Sequence, residues 1–280
     1  MKIIAQTPKY LPDNYSGGET MLHDYLMLLK AQGHDVRVIA HNPSQIEWEG
    51  IKLYDWRNDV RMFDWCDIAI THLQCVGNSY NLCRKFNKPL IYIAHNDYRS
   101  SCVSVHASIN VIYNSNWVKE SLNYNNTNIV SRPIIDYSKF SDIEPNGDYI
   151  TMVNINKNKG GEILKEIATN LSHLKFQAVL GGYGTQIKDQ PSNVKILQNG
   201  ANMREVYENS RILLAPSKYE SWGRVAAEGT VSSLVVVHNE TKTSNGFNEV
   251  CGNSGVSIKD NKINTWIEKI KELTTNKEKF

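Results

Sequence analysis

The stretch ILLAPSKYESWGRVAAEGTVSSLVVV, residues 212–237, reads as a strand, a turn, a helix and a second strand. Ile212–Ala215 is a short apolar run that stops at Pro216, a residue that cannot donate to a sheet ladder. Arg224–Val231 carries its apolar residues at helical spacing, and Leu234–Val237 is unbroken and rich in β-branched residues. An apolar run without alternation belongs to a strand covered on both faces, which is the signature of a parallel sheet.

The same pattern extends outward in both directions. Tyr149–Val153, Phe176–Leu180 and Val194–Leu197 read as strands, and Gly161–Asn170, Met203–Asn209 and Thr265–Leu273 as helices. In the first half, Lys2–Ala5, Asp35–Ala40, Ile51–Tyr54, Asp67–Thr71, Leu90–Ala94, Asn110–Tyr113 and Asn128–Ser131 read as strands. Glu19–Ala31 places Met21, Leu22, Tyr25, Leu26, Leu28 and Leu29 on one helical face, with Ser16 and Glu19 spaced as in a capping box, and Trp117–Leu122 is a further helix. The polar segment Ser141–Asp148, with Pro145 and Gly147, interrupts the alternation and is expected to be a linker. The expectation is an α/β protein of two doubly wound, Rossmann-like parallel-sheet domains facing a cleft, residues 1–142 and 148–280.

Composition narrows the functional classes. With 280 residues, 41% hydrophobic and 21% charged, the chain is an ordinary globular sequence long enough for two domains. A formal net charge of +2, from 31 basic and 29 acidic side chains, is not the field of a dedicated nucleic-acid binder. Five cysteines, Cys66, Cys75, Cys83, Cys102 and Cys251, form no CxxC pair, and neither a signal peptide nor a membrane-spanning run is visible. A cytoplasmic location is expected, with peripheral membrane contact left open. The spacings of common His/Cys and Asp-x-Asp metal sites are missing, so no metal and no cofactor are expected.

The residues that carry chemistry cluster after strands. Glu220 sits in the strand-to-helix turn PSKYESWG, residues 216–223, and Glu228 lies two turns into the helix that follows. The N–H groups of Ser221, Trp222, Gly223 and Arg224 fall where a helix leaves its first donors without internal acceptors, a place suited to phosphate or hydroxyl ligands. Gly17 and Gly18 follow the first strand and would let a backbone approach a diphosphate. Lys159 lies in KNKGG, residues 157–161; His95 and His72 each close a strand; and GGYG, residues 181–184, closes another.

The segment from Pro216 to Glu228 resembles the signature of the retaining glycosyltransferases of family four (glycosyl transferases group 1), a P-S-x-x-E-x-x-G turn followed by a second Glu. The order of the other segments, including Asn202–Tyr207 and Asn248–Val250 with Glu249, is similar along almost the whole chain. The resemblance implies the GT-B fold and transfer of a sugar from a nucleotide-diphosphate donor. It gives Glu220, His95 and Lys159 roles at the reacting sugar and diphosphate. It gives Gly17, Gly18, Asn154, Gly182, Ser221, Trp222, Gly223, Arg224 and Glu228 roles in holding the donor, with Glu228 on the ribose. Asn154 stands where the family carries an arginine, so either diphosphate binding is weaker or another cation, Arg132 or Arg224, replaces it. The family usually returns a C-terminal helix to the first domain, and this crossover is expected to be abbreviated here. The acceptor is left open among a glycan, a lipid, a protein and a modified nucleic-acid base, as is the oligomeric state. Two rivals accompany this reading: a GT-B sugar-nucleotide epimerase, and a sugar-nucleotide-binding protein without turnover.

Overall fold

A computed structural model of the chain describes residues 1–98, 105–240, 246–260 and 262–275. The chain divides into two compact units, Met1–Ile134 and Ile135–Phe280. The division precedes the expected linker because Phe140 and Ile143, on either side of Ser141, are buried in the core of the second unit.

The first unit contains β1 (Lys2–Gln6), α1 (Gly17–Ala31), β2 (Asp35–Ala40), β3 (Glu47–Trp48), β4 (Ile51–Asp55), α2 (Asp59–Trp65), β5 (Ile68–His72), α3 (Val76–Phe86), β6 (Leu90–Ala94), β7 (Asn110–Tyr113), α4 (Asn116–Leu122) and β8 (Asn128–Val130). Its sheet has the order β3-β4-β2-β1-β5-β6-β7-β8 and is parallel except where β3 turns back on β4. β1 is central: Ala5 is registered with Val38 on one side and Ile70 on the other. One cluster around Phe63, Tyr92 and Tyr113 and another around Leu22, Leu26 and Val38 form the apolar core. The helix α1 begins at Gly17, ahead of the expected Glu19, and the proposed capping box does not form: Ser16 makes no side-chain cap to the backbone and its hydroxyl instead donates to the buried Glu19 carboxylate. Met21, Leu22 and Leu26 are buried as expected, while Leu28 is exposed.

The second unit contains β9 (Tyr149–Val153), α5 (Gly161–Asn170), β10 (Phe176–Val179), β11 (Val194–Leu197), α6 (Met203–Glu208), β12 (Ser210–Ala215), α7 (Arg224–Val231), β13 (Val235–Asn239), α8 (Gly246–Cys251), β14 (Val256–Ile258) and α9 (Ile263–Thr275). Its sheet runs β11-β10-β9-β12-β13-β14, all parallel. Helices sandwich it: Leu164, Ile167, Trp266 and Ile270 join one core cluster, and Val206, Tyr207, Ala226 and Phe247 join another. In both units the chain winds outward from a central strand and then returns to build in the other direction. Such a reversal opens a crevice at the carboxyl ends of the two central strands, because the loops leaving them diverge to opposite faces.

In the second unit that crevice lies where β9 and β12 end. The loop after β9 reaches the loop after β12 closely: a Cβ on Gly160 would stand 2.6 Å from Pro216 Cγ, and Gly160 has φ +97°. Lys218 N–H donates to the Asn158 carbonyl at 2.9 Å and ties the loops together. Gly33, after α1, also has positive φ (+85°) but nothing within 4 Å of a built Cβ. Gly33→Ala should therefore cost only the backbone strain, about 1 kcal/mol, whereas Gly160→Ala adds the clash and should cost about 2–4 kcal/mol in urea unfolding. Equal losses would show that the two loops can separate freely.

Candidate active site

At the crevice of the second unit, the first residue after β9 is Asn154, at φ +65°, a conformation that asparagine tolerates better than most side chains. Its Oδ1 accepts from Gln186 Nε2 at 3.0 Å, and Gln186 Oε1 in turn accepts from Ile155 N–H at 3.0 Å and Gly181 N–H at 2.9 Å. A Cβ on Gly181 would fall 2.1 Å from Asn154 Cγ, so the amide fills the space that the glycine leaves. Two residues on, Asn156 Oδ1 accepts from Lys159 N–H at 2.9 Å and its Nδ2 donates to the Tyr183 carbonyl at 3.3 Å. Gln186 and Asn156 brace the loop from β9 against the loop carrying Gly181, Gly182 and Gly184. Gly182 is exposed on the latter loop.

That bracing presents Lys159 to Glu220. The ammonium donates to Glu220 Oε2 at 2.5 Å, with the side chains 18% and 17% exposed, so the pair borders open solvent. Burial acts to lower the Lys159 pKa, but the Glu220 carboxylate and a hydrogen bond to Tyr183 outweigh it and hold the ammonium above its ordinary range. Glu220 is itself anchored through its backbone: its carbonyl accepts from Gly246 N–H at 3.3 Å. A Cβ on Gly246 would lie 2.5 Å from Trp222 N, so α8 begins pressed against the turn 220–223. Glu249 lies on α8. Trp222 is 7% exposed, and its indole N–H is buried without a hydrogen-bond partner. Gly223, at φ +100°, caps α7 in a conformation open chiefly to glycine. Ser221 is half-buried within the same turn.

Glu228 lies deeper along α7. It is 8% exposed, and both oxygens are engaged, Oε1 by Arg224 Nε at 3.0 Å and Oε2 by the Tyr207 hydroxyl at 2.8 Å. Burial, and then the Glu228 carboxylate, push the Tyr207 phenol far up, so Tyr207 is a donor. Arg224, one candidate for the missing cation, is thus bound to Glu228, and Arg132, the other, follows β8 in the first unit. Sequence reading missed Asn156, Gln186 and Tyr207; polar residues in loops, or on a helix against a glutamate, leave no spacing pattern.

The first unit holds the remaining candidates at its own strand reversal, between β1 and β5. Gly17 and Gly18 open α1, and a Cβ on Gly18 would stand 3.5 Å from His95 Cδ2, so the ring of His95 lies against the glycine backbone. His95, just after β6, contacts His72 Nδ1 through its Nε2 at 2.9 Å. Asn114 Nδ2 donates to the His95 carbonyl at 3.1 Å. Burial pushes the His95 imidazole down to about 4, and burial, then His95 itself, push His72 well below the ordinary histidine range. Cys66, Cys75, Cys83 and Cys251 are free thiols; Cys102 lies outside the described residues. Among the described residues no His, Cys, Asp and Glu side chains gather as a metal site, and no helix is long and apolar enough to cross a membrane.

Residues 149–276, most of the second unit, match the profile of the family described as glycosyl transferases group 1. No curated protein sequence matches the chain. Similar solved structures cover the whole length. Anabaena HepE in complex with UDP-glucose aligns with a TM-score of 0.85 at 15% identity, covering 100% of this chain and 91% of that one. A glycosyltransferase from Rickettsia africae aligns at 0.71 and 18% identity, covering 98% and 88%. Sucrose-phosphate synthase from Thermosynechococcus elongatus aligns at 0.75 and 13% identity, covering 99% and 90%. The fold is therefore that of the GT-B glycosyltransferases, with two Rossmann-like parallel sheets.

Two outcomes follow from the geometry. An arginine has no acceptor oxygen, so Asn154→Arg loses the bonds that Asn154 Oδ1 accepts from Gln186 and Asn156 N–H and crowds a buried position, which should lower stability by about 1–3 kcal/mol in urea unfolding. An unchanged midpoint would show that the amide is not a brace. The histidines set a pH dependence. In the unfolded chain His95 takes up a proton near its ordinary 6.5, whereas in the folded protein it does so only at about 4. Stability is then full above 6.5 and is lost as pH falls from 6.5 toward 4, by an amount on the order of 3 kcal/mol for this group. His95→Gln should flatten that part of the profile of urea midpoint against pH, and a profile as steep as the wild type's would contradict burial of a neutral ring.

Proposed function

We propose that the protein is a retaining glycosyltransferase that moves a sugar from a nucleotide-diphosphate sugar to a hydroxyl acceptor. The observation that carries this reading is the ion pair of Lys159 and Glu220. It is built from the two loops that leave β9 and β12 at the crevice of the unit that matches the family profile. The UDP-glucose complex of Anabaena HepE, similar in fold, supports a nucleotide-sugar donor.

The donor's diphosphate and sugar carry the groups that would replace the contacts within the pair. The phosphate oxygens take the Lys159 ammonium, which stays charged at neutral pH, and a sugar hydroxyl donates to the Glu220 carboxylate. Lys159 then neutralises charge as the bond from the sugar's anomeric carbon to the phosphate oxygen breaks. The acceptor oxygen forms its bond to that carbon on the same face, and its proton passes to the departing phosphate. No covalent enzyme intermediate is formed. The N–H groups of Ser221–Arg224, at the start of α7, add donors toward the phosphates. Glu228, steadied by Arg224 and Tyr207, holds the ribose. Binding of the acceptor is assigned to the first unit, where Gly17, Gly18 and His95 lie together. Neither a cofactor nor a metal enters the scheme.

Glu220→Gln keeps the shape of the side chain and removes its charge. A thermal-shift screen of nucleotide sugars would first identify the donor that wild type binds. Release of its nucleoside diphosphate, with and without acceptor, should then fall by about 10²-fold or more in Glu220→Gln, the scale of deleting one preorganised contact. Wild-type turnover in the folded variant would remove Glu220 from the reacting sugar. Release of nucleotide with no glycoside product would favour a hydrolase, and a changed sugar on intact nucleotide an epimerase.

A further inference from the structure

Three side chains join the ends of β1, β5 and β6 across the strand reversal of the first unit. The Thr7 hydroxyl donates to the Lys9 carbonyl at 2.6 Å. A hydroxyl has one proton and a carbonyl has none, so the second contact of Thr7 Oγ1, to His72 Nε2 at 2.6 Å, is an N–H donated by the histidine. His72 is fully buried and carries its proton on Nε2, which leaves Nδ1 as a lone pair. The 2.9 Å contact between His72 Nδ1 and His95 Nε2 is therefore an N–H donated by His95. The neutral His95 ring keeps one lone pair, on Nδ1.

We infer that Thr7 and His72 are positioning residues that fix His95 in its Nε2–H form, so that His95 meets a substrate only as a hydrogen-bond acceptor at Nδ1. The inference rests on the transferase reading for the identity of the substrate, and on hydrogen-bond direction alone for the form of the ring. A lone pair at Nδ1 welcomes a sugar hydroxyl and repels a phosphate oxygen. His95 then selects a hydroxyl and takes no part in holding the diphosphate or in protonating a leaving group. The depressed pKa of both rings agrees with this, since a second proton on either would break the chain of donors. The His95 ring lies beside the start of α1, where a Cβ on Gly18 would stand 3.5 Å from its Cδ2, an ordinary contact distance.

Long-range nitrogen–proton NMR of the full chain labelled with ¹⁵N-histidine reads the form of each ring directly, with His95→Gln and His72→Gln spectra providing assignments. In the wild type at neutral pH, His95 and His72 should both be neutral with the proton on Nε2. Thr7→Val keeps the volume but removes the acceptor, so it should give His72 and His95 mixed tautomers. It should also lower kcat/KM for the donor found by thermal shift by roughly tenfold, the scale of one hydrogen bond. Thr7→Ser restores the hydroxyl and should restore both the spectrum and the rate. A His95 protonated on Nδ1, a charged ring at neutral pH, or a Thr7→Val protein with wild-type spectrum and rate would each overturn the assignment. A wild-type protein that turns over no nucleotide sugar would refute the transferase reading, and with it the substrate role of His95, whereas the spectrum would still decide the tautomer.

Discussion

The reversal of strand order beside β9 is the constraint on which the second unit's site depends. Because β9 pairs with β10 on one side and β12 on the other, the loops leaving β9 and β12 start as neighbours and then part toward opposite faces. Two polar loops held so close must satisfy their backbone groups locally. They do so through Asn156, Gln186 and the hydrogen bond from Lys218 to Asn158. Glycines at 160, 223 and 246 allow the close approaches: a Cβ there would stand 2.6 Å from Pro216, 2.8 Å from Phe247 and 2.5 Å from Trp222, respectively. The ion pair of Lys159 and Glu220 is the consequence: two charged side chains carried by these loops and brought together at the mouth of the crevice.

The charges in this crevice are balanced locally. Lys159 answers Glu220, and Arg224 with Tyr207 answers Glu228. A partly buried pair of this kind contributes little net stability, because desolvation offsets much of the attraction, yet removing one partner leaves an exposed cost. Such a pair suits exchange: a ligand that brings a phosphate for the ammonium and a hydroxyl for the carboxylate replaces both contacts at once. At the position where the resemblance expects an arginine stands Asn154, whose amide is bound within the loop. The structure thus supplies a physical reason for the departure from the family pattern, since the neighbouring Gln186 and Gly181 are built around an amide.

Much of this architecture could be read from the chain because apolar runs such as Leu234–Val237 and Leu90–Ala94 declare buried parallel strands. Helix limits moved by a residue or two where caps decide them, as at Gly17. The helices Asp59–Trp65 and Val76–Phe86 left no clear helical period in the chain: the first spans only seven residues, and the second mixes its apolar positions with Gly77, Asn78, Ser79 and Asn81. Glu220, Lys159 and His95 were visible because each follows a strand. Tyr207, Gln186 and Asn156 were not, since a hydrogen bond between distant residues leaves no mark on spacing. The linker expected at Ser141–Asp148 was suggested by Pro145 and Gly147, but Phe140 and Ile143 already belong to the second core.

In the proposed reaction the loops after β9 and β12 receive the diphosphate of a nucleotide. Amide chemical shifts of the ¹⁵N-labelled protein, followed during titration with a nucleoside diphosphate, test it most directly. The amides of Lys159–Gly161 and Ser221–Arg224 should move first and saturate together. Saturable binding that leaves those amides unmoved, with shifts gathered elsewhere in the chain, would contradict it.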